Sequence, residues 1–321
     1  MNNNLNKNIS LFDKYYSHIN RIVFDFNFIK ALFINWYDIL FFKLNIKKVI
    51  YIKFKSGEGF TIKNKQQYID FWKNKDIRIL ITKNFIPSII INQDNISFVY
   101  KDEKVNFKFQ DNKNLINTLD LIIAQFYTEE YKWLDVSKKE VVDIGANIGD
   151  TAIYFSLSNA KKIHSYEPYP YSYNLAKKNI EINKMQKKII LNNAGVGEKN
   201  SQIIINDKYK NVGGSELKTF KKGKSIKILS LENITTSLKL NNSILKIDCE
   251  GYEYKILLNT KSKTLRKFKK IMIEYHYGYK NLEKKLKRSG FKVKHSNPIF
   301  TINENTVNKE MFYGFIFAER I

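Results

Sequence analysis

A short segment combines two glycines, an acid and an amide in a spacing suited to holding a small ligand. Val141-Val142-Asp143-Ile144 is apolar enough for a buried strand, and Gly145-Ala146-Asn147-Ile148-Gly149-Asp150 follows it directly. Glycine adopts backbone angles that other residues avoid, and it lets the main chain approach a ligand closely. A helix beginning near Ile148 would direct unpaired N–H groups and its positive dipole end into the same space. The pattern therefore predicts a nucleotide-binding turn.

The spacing of this turn bears on which nucleotide fits it. Asp143–Gly149 reads Asp-x-Gly-x-x-x-Gly, whereas a dinucleotide pyrophosphate is held by Gly-x-Gly-x-x-Gly. Since Asp143 is placed to meet a cation, we expect a positively charged ligand. S-adenosylmethionine carries a sulfonium and an ammonium group, so it meets this electrostatic requirement.

A second predicted strand, Lys162–Tyr166, ends at the carboxylate of Glu167. This residue lies about twenty positions past the glycine turn, where a carboxylate that binds ribose hydroxyls is expected, although a nicotinamide enzyme would share the feature. Asn193 follows a third predicted strand, and its amide could bind the adenine edge or simply form a turn. The residues that we predict to contact the cofactor are Asp143, Gly145, Asn147, Gly149, Glu167, Asn193 and Ala194.

Two blocks make the resemblance to a known family specific. Val141–Asn183 and Leu245-Lys246-Ile247-Asp248-Cys249-Glu250-Gly251-Tyr252-Glu253 resemble the FkbM-type family of S-adenosylmethionine-dependent methyltransferases. The second block matches the family's Leu-Lys-Ile-Asp-x-Glu-Gly-x-Glu run, with Cys249 and Tyr252 at the variable places. The similarity covers about residues 139–296. It implies O-methylation of a hydroxyl on a small molecule, a sugar or a glycolipid.

The acidic residues that follow the later predicted strands are candidates for this chemistry. The carboxyl ends of parallel strands meet at one edge of a sheet, so Asp248, Glu250, Glu274 and His276 are expected to lie together. We predict Asp248 as the base that removes the hydroxyl proton, with His276 second and Glu250 beside them. Burial could tune His276 toward neutral pH. The alternative is that these side chains are salt-bridge partners, and a histidine beside tyrosines is often structural.

The sequence leaves the roles of two further features open. Asp248, Glu274 and His276 could gather a divalent cation, which would lower the pKa of the acceptor oxygen, and we do not commit to it. The turn Asn211-Val212-Gly213-Gly214-Ser215 is either part of a mobile loop over the acceptor or only a hairpin turn.

The formal net charge of +24 raises the question of an anionic partner. Clustered lysines attract polyanions, so RNA ribose methylation and a non-catalytic adenosyl-binding module that holds RNA or a protein partner are rival hypotheses. However, the lysines are scattered along the whole chain and arginine, the better phosphate ligand, is scarce. We therefore favour biased amino-acid usage over a nucleic-acid surface.

The element pattern predicts two parts. Residues 1–125 suggest an α+β extension: two helices up to about residue 45, strands in Lys47–Thr61 and Ile79–Gln110, and an aromatic helical face at Tyr68, Phe71 and Trp72 that belongs to a core. A helix from Leu115 to about Tyr131 follows. Residues 126–321 alternate strands and helices, which predicts a doubly wound, mostly parallel α/β sheet. We place its strands near residues 140–144, 162–166, 188–191, 244–248, 269–275, 290–294 and 311–318.

The resemblance implies that this sheet is the seven-stranded, Rossmann-like methyltransferase sheet whose last strand is antiparallel. The single cysteine excludes an internal disulfide. The N-terminus lacks a secretory signal, and the apolar segment Phe28–Leu44 is interrupted by polar residues, so we predict a cytoplasmic protein without a membrane-spanning helix. Peripheral contact with a membrane stays open.

Overall fold

The computed structural model describes residues 8–206, 219–303 and 309–321. It divides into two compact units, one formed by Arg21–Thr128 and the other by Glu129–Ile321 together with the residues up to Asn20. Our boundary between residues 125 and 126 came from the sequence pattern alone and stays a prediction. Within the described residues, no helix has the length and apolarity needed to cross a bilayer.

The first unit mixes helices with short antiparallel strands. Its elements, with α1 beginning before the unit, are α1 (Leu11–Leu32), α2 (Trp36–Lys43), β1 (Ile50–Lys53), β2 (Gly59–Ile62), α3 (Lys65–Lys73), α4 (Lys75–Phe85), β3 (Ile90–Asn92), β4 (Asn95–Tyr100), β5 (Glu103–Lys108) and α5 (Asn112–Ile122), followed by a π-helical turn (Ile123–Tyr127). Its core is rich in aromatic rings, among them Phe33, Phe54 and Phe71. The prediction that Phe71 belongs to a core is therefore confirmed.

One predicted strand region of this unit is wrong in its first part. Residues 79–85 lie in the helix α4 and not in a strand, while β3, β4 and β5 do form within the predicted range. The helix begins where the Asn74 side chain accepts hydrogen bonds from the N–H groups of Asp76 (2.8 Å) and Ile77 (3.2 Å). Ile77 and Ile81, one turn apart, are buried against the aromatic core. The cap and the buried face together favour the helix.

The second unit alternates strands and helices. Beyond a 3₁₀ turn (Lys132–Leu134), its elements are β6 (Glu140–Ile144), α6 (Asp150–Leu157), β7 (Lys162–Tyr166), α7 (Pro170–Ile182), β8 (Ile189–Asn192), β9 (Ala194–Gly197), β10 (Ser201–Ile205), β11 (Lys224–Ser230), α8 (Leu231–Ser237), β12 (Ser243–Ile247), α9 (Glu253–Asn259), α10 (Ser262–Leu265), β13 (Phe268–Tyr275), α11 (Lys280–Arg288), β14 (Phe291–His295), β15 (Ile299–Ile302) and β16 (Glu310–Arg320).

The main sheet has the strand order β14-β16-β13-β12-β6-β7-β8. Its centre is parallel, whereas β16 runs antiparallel to both β13 and β14, as predicted for the last strand. A short additional strand, β15, also pairs with β16 among the described residues. The doubly wound α/β fold is thus confirmed, with this extra strand beyond the seven that we predicted.

The two central strands explain where a ligand can bind. Every residue of β12 is buried, and so are the last four of β6, as expected for strands covered on both faces. The chain leaves β6 toward β7 on one side, while β12 lies on the other. The loops at the carboxyl ends of β6 and β12 therefore diverge at a topological switch point, which is where α/β sheets bind ligands.

A second, three-stranded sheet has the order β10-β11-β9. Its strands β10 and β11 pair antiparallel and form the local hairpin predicted between residues 201 and 234. The turn Asn211–Ser215, proposed as part of a mobile loop, lies outside the described residues.

Candidate active site

The turn between β6 and α6 is a backbone cradle. Gly145, Asn147 and Gly149 all have positive φ angles, of 81°, 47° and 84°. The turn passes so close to the end of β12 that a Cβ atom on Gly145 would lie 1.8 Å from the carbonyl oxygen of Asp248. Only glycine fits there, because both the left-handed backbone and the available space exclude a side chain.

We expect Gly145→Ala to destabilise the protein more than an alanine at another left-handed glycine. Gly290 has a φ of 90°, but a Cβ there would enter open space. Gly290→Ala therefore reports the backbone cost alone, roughly 1–2 kcal/mol. Gly145→Ala should cost about 1–3 kcal/mol more through the clash with Asp248. Urea unfolding of the two variants measures the difference, and equal losses would show that the close approach is not real.

Glu167 joins the cradle to the next strand. Its Oε2 atom accepts a hydrogen bond from the Asn147 N–H (2.9 Å), and its Oε1 atom accepts one from the Tyr169 N–H (2.9 Å). Burial raises the pKa of Glu167 to about 7 in spite of these two bonds. The predicted ribose ligand and the glycine turn are thus brought together, and each carboxylate oxygen keeps a second acceptor direction for a ligand hydroxyl.

Two buried polar atoms in the cradle have no hydrogen-bond partner among the described residues. They are the Oδ1 atoms of Asn147 and Asp150. Burial raises the pKa of Asp150 to about 7, with the nearby Lys246 opposing the rise. Buried polar groups are normally satisfied, so these atoms indicate that a ligand with hydrogen-bonding groups completes the cradle.

Asp143 is buried beside an internal cation. Its Oδ1 atom lies 3.2 Å from the Lys246 Nζ atom, with side-chain exposures of 0% and 1%, and its Oδ2 atom accepts a hydrogen bond from the Ser165 hydroxyl (3.0 Å). Lys246 also donates to the Gly145 carbonyl (2.8 Å). Burial opposes the charge on Lys246, but Asp143 and Asp248 hold its pKa above the ordinary value. We expected Asp143 to contact the cationic groups of the ligand. In the structure it pairs with Lys246, whose amine also binds the Gly145 carbonyl of the cradle.

The predicted catalytic residues do converge at the carboxyl ends of β12 and β13. Ligand atoms of Asp248, Glu274 and His276 all lie within 4.8 Å of one another. Asp248 is partly exposed, and its Oδ2 atom accepts a hydrogen bond from the Tyr131 hydroxyl (3.3 Å). The Oε2 atom of Glu250 lies 3.4 Å from the His276 Nε2 atom. These side chains therefore form one cluster next to the cradle.

His276 is surrounded by carboxylates that favour its protonated form. Its Nδ1 atom and its backbone N–H both lie 3.0 Å from the buried Glu253 Oε1 atom. Burial lowers the pKa of His276, but Glu253 and Glu250 raise it more, so it lies well above the ordinary value. We expected burial to tune this group toward neutral pH. The carboxylates oppose this effect of burial and favour the protonated ring.

The charge on His276 has a consequence for stability. A histidine whose pKa is raised on folding contributes stability that is complete below about pH 6.5 and is lost as the pH rises through the folded value. We therefore expect the stability gap between wild type and His276→Gln to shrink as the pH rises above about 6.5. Denaturant unfolding across this range measures it.

His164 provides a control of opposite sign. Burial lowers its pKa, so its contribution is present at high pH and is lost as the pH falls below about 6.5. The gap between wild type and His164→Gln should therefore grow with rising pH. Parallel trends for the two variants would refute the charged state of His276.

Two structural residues of the site were missed by sequence reasoning. Glu253 accepts hydrogen bonds from the Gly251 N–H (2.8 Å) as well as from His276, and it thereby fixes the left-handed turn at Glu250 and Gly251. Lys246 is the other. Each carried a signal: Glu253 is the last residue of the strand-end motif, and Lys246 is a lysine inside an otherwise apolar strand.

The remaining predicted cofactor residues lie next to the same edge of the sheet. Asn193 donates through Nδ2 to the carbonyls of Glu167 (3.0 Å) and Pro168 (3.2 Å), which fixes the loop after β7. Ala194 is buried at the start of β9. Their contact with the adenine stays a prediction.

Carboxyl groups with raised pKa values are concentrated around the cradle. Burial and the neighbouring Asp248 raise the pKa of Glu130 to about 8 and that of Glu274 well above its ordinary value. Such shifts show that the site disfavours further anions. A metal ion bound by Asp248, Glu274 and His276 would require the imidazolium to release its proton first, since metals bind the neutral ring.

A doubly wound sheet with a glycine cradle at its switch point is an arrangement in which α/β proteins bind nucleotides. Residues 143–293 match the family model described as the methyltransferase FkbM domain. The predicted resemblance to this family is thus confirmed over these residues. No curated protein matches the chain.

Several solved structures are similar to this chain at low sequence identity. TrmK of M. capricolum in complex with S-adenosyl-homocysteine is 16% identical, with 60% of this chain and 66% of that chain covered and a TM-score of 0.38. A precorrin-6y C5,15-methyltransferase of Geobacter metallireducens is 14% identical (70% and 97% covered, TM-score 0.36). Trm5b of Pyrococcus abyssi is 10% identical (72% and 57% covered, TM-score 0.39).

Proposed function

We propose that the second unit transfers a methyl group from S-adenosylmethionine to a hydroxyl group of a small molecule, a sugar or a glycolipid. The observation that supports the proposal is the close approach of Gly145 to the Asp248 carbonyl, since the residue that we propose as the base then adjoins the cradle. The family match supports methyl transfer, and the strand-end acids support a hydroxyl acceptor.

The residues of the cradle fit this donor. Glu167 offers carboxylate oxygens to the ribose hydroxyls, and the unpartnered Oδ1 atom of Asn147 offers a further acceptor. The surplus of carboxylates favours the ammonium and sulfonium charges. When bound, S-adenosylmethionine supplies an electrophilic methyl carbon.

The strand-end cluster would act on the acceptor. Asp248 accepts the proton of the hydroxyl group, while the Tyr131 hydroxyl holds the Asp248 carboxylate in place. The imidazolium of His276 lies 3.9 Å from the Asp248 Oδ1 atom and 3.4 Å from Glu250, so it orients both carboxylates. Alignment of the acceptor supplies most of the acceleration in such a site.

Loss of the Glu167 charge should weaken donor binding. We expect Glu167→Gln to lower the affinity for S-adenosylmethionine about tenfold or more, because a charge-assisted hydrogen bond to a ribose hydroxyl contributes roughly 1.5–3 kcal/mol. Titration calorimetry measures this change. The exposed Glu181→Gln in α7 is the control and should bind like wild type. Unchanged affinity in Glu167→Gln would remove Glu167 from the donor site.

The acceptor class can be identified with labelled donor. The full protein is incubated with S-adenosylmethionine labelled on its methyl group and with separate glycan, lipid and RNA fractions. Label in the glycan or lipid fraction supports the proposal. If RNA is labelled and this labelling decreases steeply as the salt concentration rises, ribose methylation is favoured. The net charge of +24 makes this the second candidate function. No label in any fraction, with donor bound, would favour a non-catalytic binding module.

A further inference from the structure

The helix α2 is apolar on two faces, although only one of them is covered. Its inner residues Ile39 and Phe42 are buried in the aromatic core of the first unit. Its outer residues follow the spacing i, i+3, i+4, i+7 of a helical stripe. They are Tyr37, Leu40, Phe41 and Leu44, which are 47%, 37%, 37% and 59% exposed. A surface helix of a soluble protein normally presents polar residues there.

The exposed apolar surface continues into the loop after the helix. The Ile46 N–H donates to the Phe41 carbonyl (2.8 Å), so this loop folds back onto the end of α2. Ile46 itself is 67% exposed. We call Tyr37, Leu40, Phe41, Leu44 and Ile46 the α2 patch. Contiguous apolar surface of this kind marks an interaction site.

The chain segment that contains the α2 patch is strongly positive. Residues 30–55 contain six lysines, all exposed, and a single acidic residue, Asp38, which pairs with Lys47. The Lys47 Nζ atom also lies 6.0 Å from the centroid of the Phe41 ring. One lysine amine thus lies near an exposed ring of the patch. This combination is typical of surfaces that insert apolar groups between lipids while lysines contact anionic headgroups.

The same features argue against a second copy of this protein and against a nucleic acid as the partner of the α2 patch. A two-fold contact with a second copy would place equal lysine clusters opposite each other, which is repulsive. A nucleic acid would leave the apolar side chains facing phosphates, and residues 30–55 contain no arginine. A helix of eight residues is about 12 Å long, so α2 can lie on a bilayer but cannot cross it.

We propose that the α2 patch docks this protein on an anionic membrane surface. Tyr37, Leu40 and Phe41 enter the boundary between headgroups and acyl chains, and the surrounding lysines bind lipid phosphates. This binding requires neither a methyl donor nor an acceptor. It can therefore be tested independently of the methyl transfer proposed above.

The test is co-sedimentation of the full-length protein with vesicles. We expect binding to phosphatidylcholine vesicles that contain phosphatidylglycerol, weaker binding as salt rises, and little binding to pure phosphatidylcholine. Leu40→Glu/Phe41→Glu should lower the partition coefficient about tenfold or more, since two apolar side chains no longer enter the bilayer. Val99→Glu is the matched control, because Val99 is a 54% exposed apolar residue on β4.

Measurements of folding distinguish a variant that has lost docking from one that is misfolded. Circular dichroism and thermal unfolding of the glutamate variant are compared with wild type, and Leu40→Ser/Phe41→Ser serves as a milder second variant. The proposal is overturned if wild type does not bind anionic vesicles, if both double variants bind like wild type, or if pure phosphatidylcholine binds equally well. A dimer that the substitutions dissociate, without vesicle binding, would assign the α2 patch to a second copy instead.

Discussion

Asp248→Asn should lower the rate of methyl transfer by about a hundredfold or more while leaving the affinity for S-adenosylmethionine nearly unchanged. The amide keeps the size of the side chain and its place at the end of β12, but it cannot accept the acceptor's proton. Losing a positioned base typically costs a factor of 10²–10⁴. Steady-state kinetics should show the loss in kcat, and calorimetry should show retained donor binding.

A second aspartate provides the control for this experiment. Asp135→Asn changes an exposed side chain of the same unit, at a left-handed position that asparagine also tolerates, and should leave the rate unaltered. If Asp248→Asn turns over like wild type, proton removal belongs to another group. Parallel losses of kcat and donor affinity would instead place Asp248 in the donor site.

Lys246→Met should destabilise the protein by about 3–5 kcal/mol, because it leaves the fully buried Asp143 carboxylate without its cation. Methionine fills much of the space of the lysine stem, so the loss reports the unpaired charge more than a cavity. Urea or guanidinium unfolding measures the free energy of unfolding. Adding Asp143→Asn to Lys246→Met should recover part of the loss, since the buried charge is then gone.

Lys270→Met is the matched control for this pair. Lys270 lies on the adjacent strand β13, and its amine donates to the Trp133 carbonyl (3.0 Å). Removing one such hydrogen bond should cost about 1 kcal/mol. If Lys246→Met costs no more than Lys270→Met, or if Asp143→Asn gives no recovery, the two buried charges do not depend on each other.

The parallel sheet was predictable because its strands are covered on both faces. Strands such as β6 and β12 therefore appear in the sequence as short, continuous apolar runs. The same kind of run misled us in Ile79–Ile81, where a short apolar stretch fits a helix as well as a strand. The Asn74 side chain caps the helix and thereby favours the helix over a strand. This capping residue could have been recognised in the sequence.

The site was predictable where chemistry follows the ends of strands. Asp248, Glu274 and His276 were placed together by that rule alone, and Glu167 was placed near the glycine turn by its offset. The partners across the sheet were not predictable. Lys246 faces Asp143 because their strands pair in that register, and Glu253 reaches His276 from a different element. Both relations depend on long-range pairing, which the spacing of residues in one sequence does not encode.

The single cysteine lies in the strand-end loop between Asp248 and Glu250. Burial, together with the nearby Glu253 carboxylate, raises the pKa of the Cys249 thiol well above its ordinary value, and the Sγ atom lies 3.9 Å from the Glu253 Oε2 atom. Alkylating reagents attack the thiolate, so Cys249 should react slowly with iodoacetamide in the folded protein. Mass-spectrometric footprinting of the unmodified protein can thus report on this loop without any engineered label.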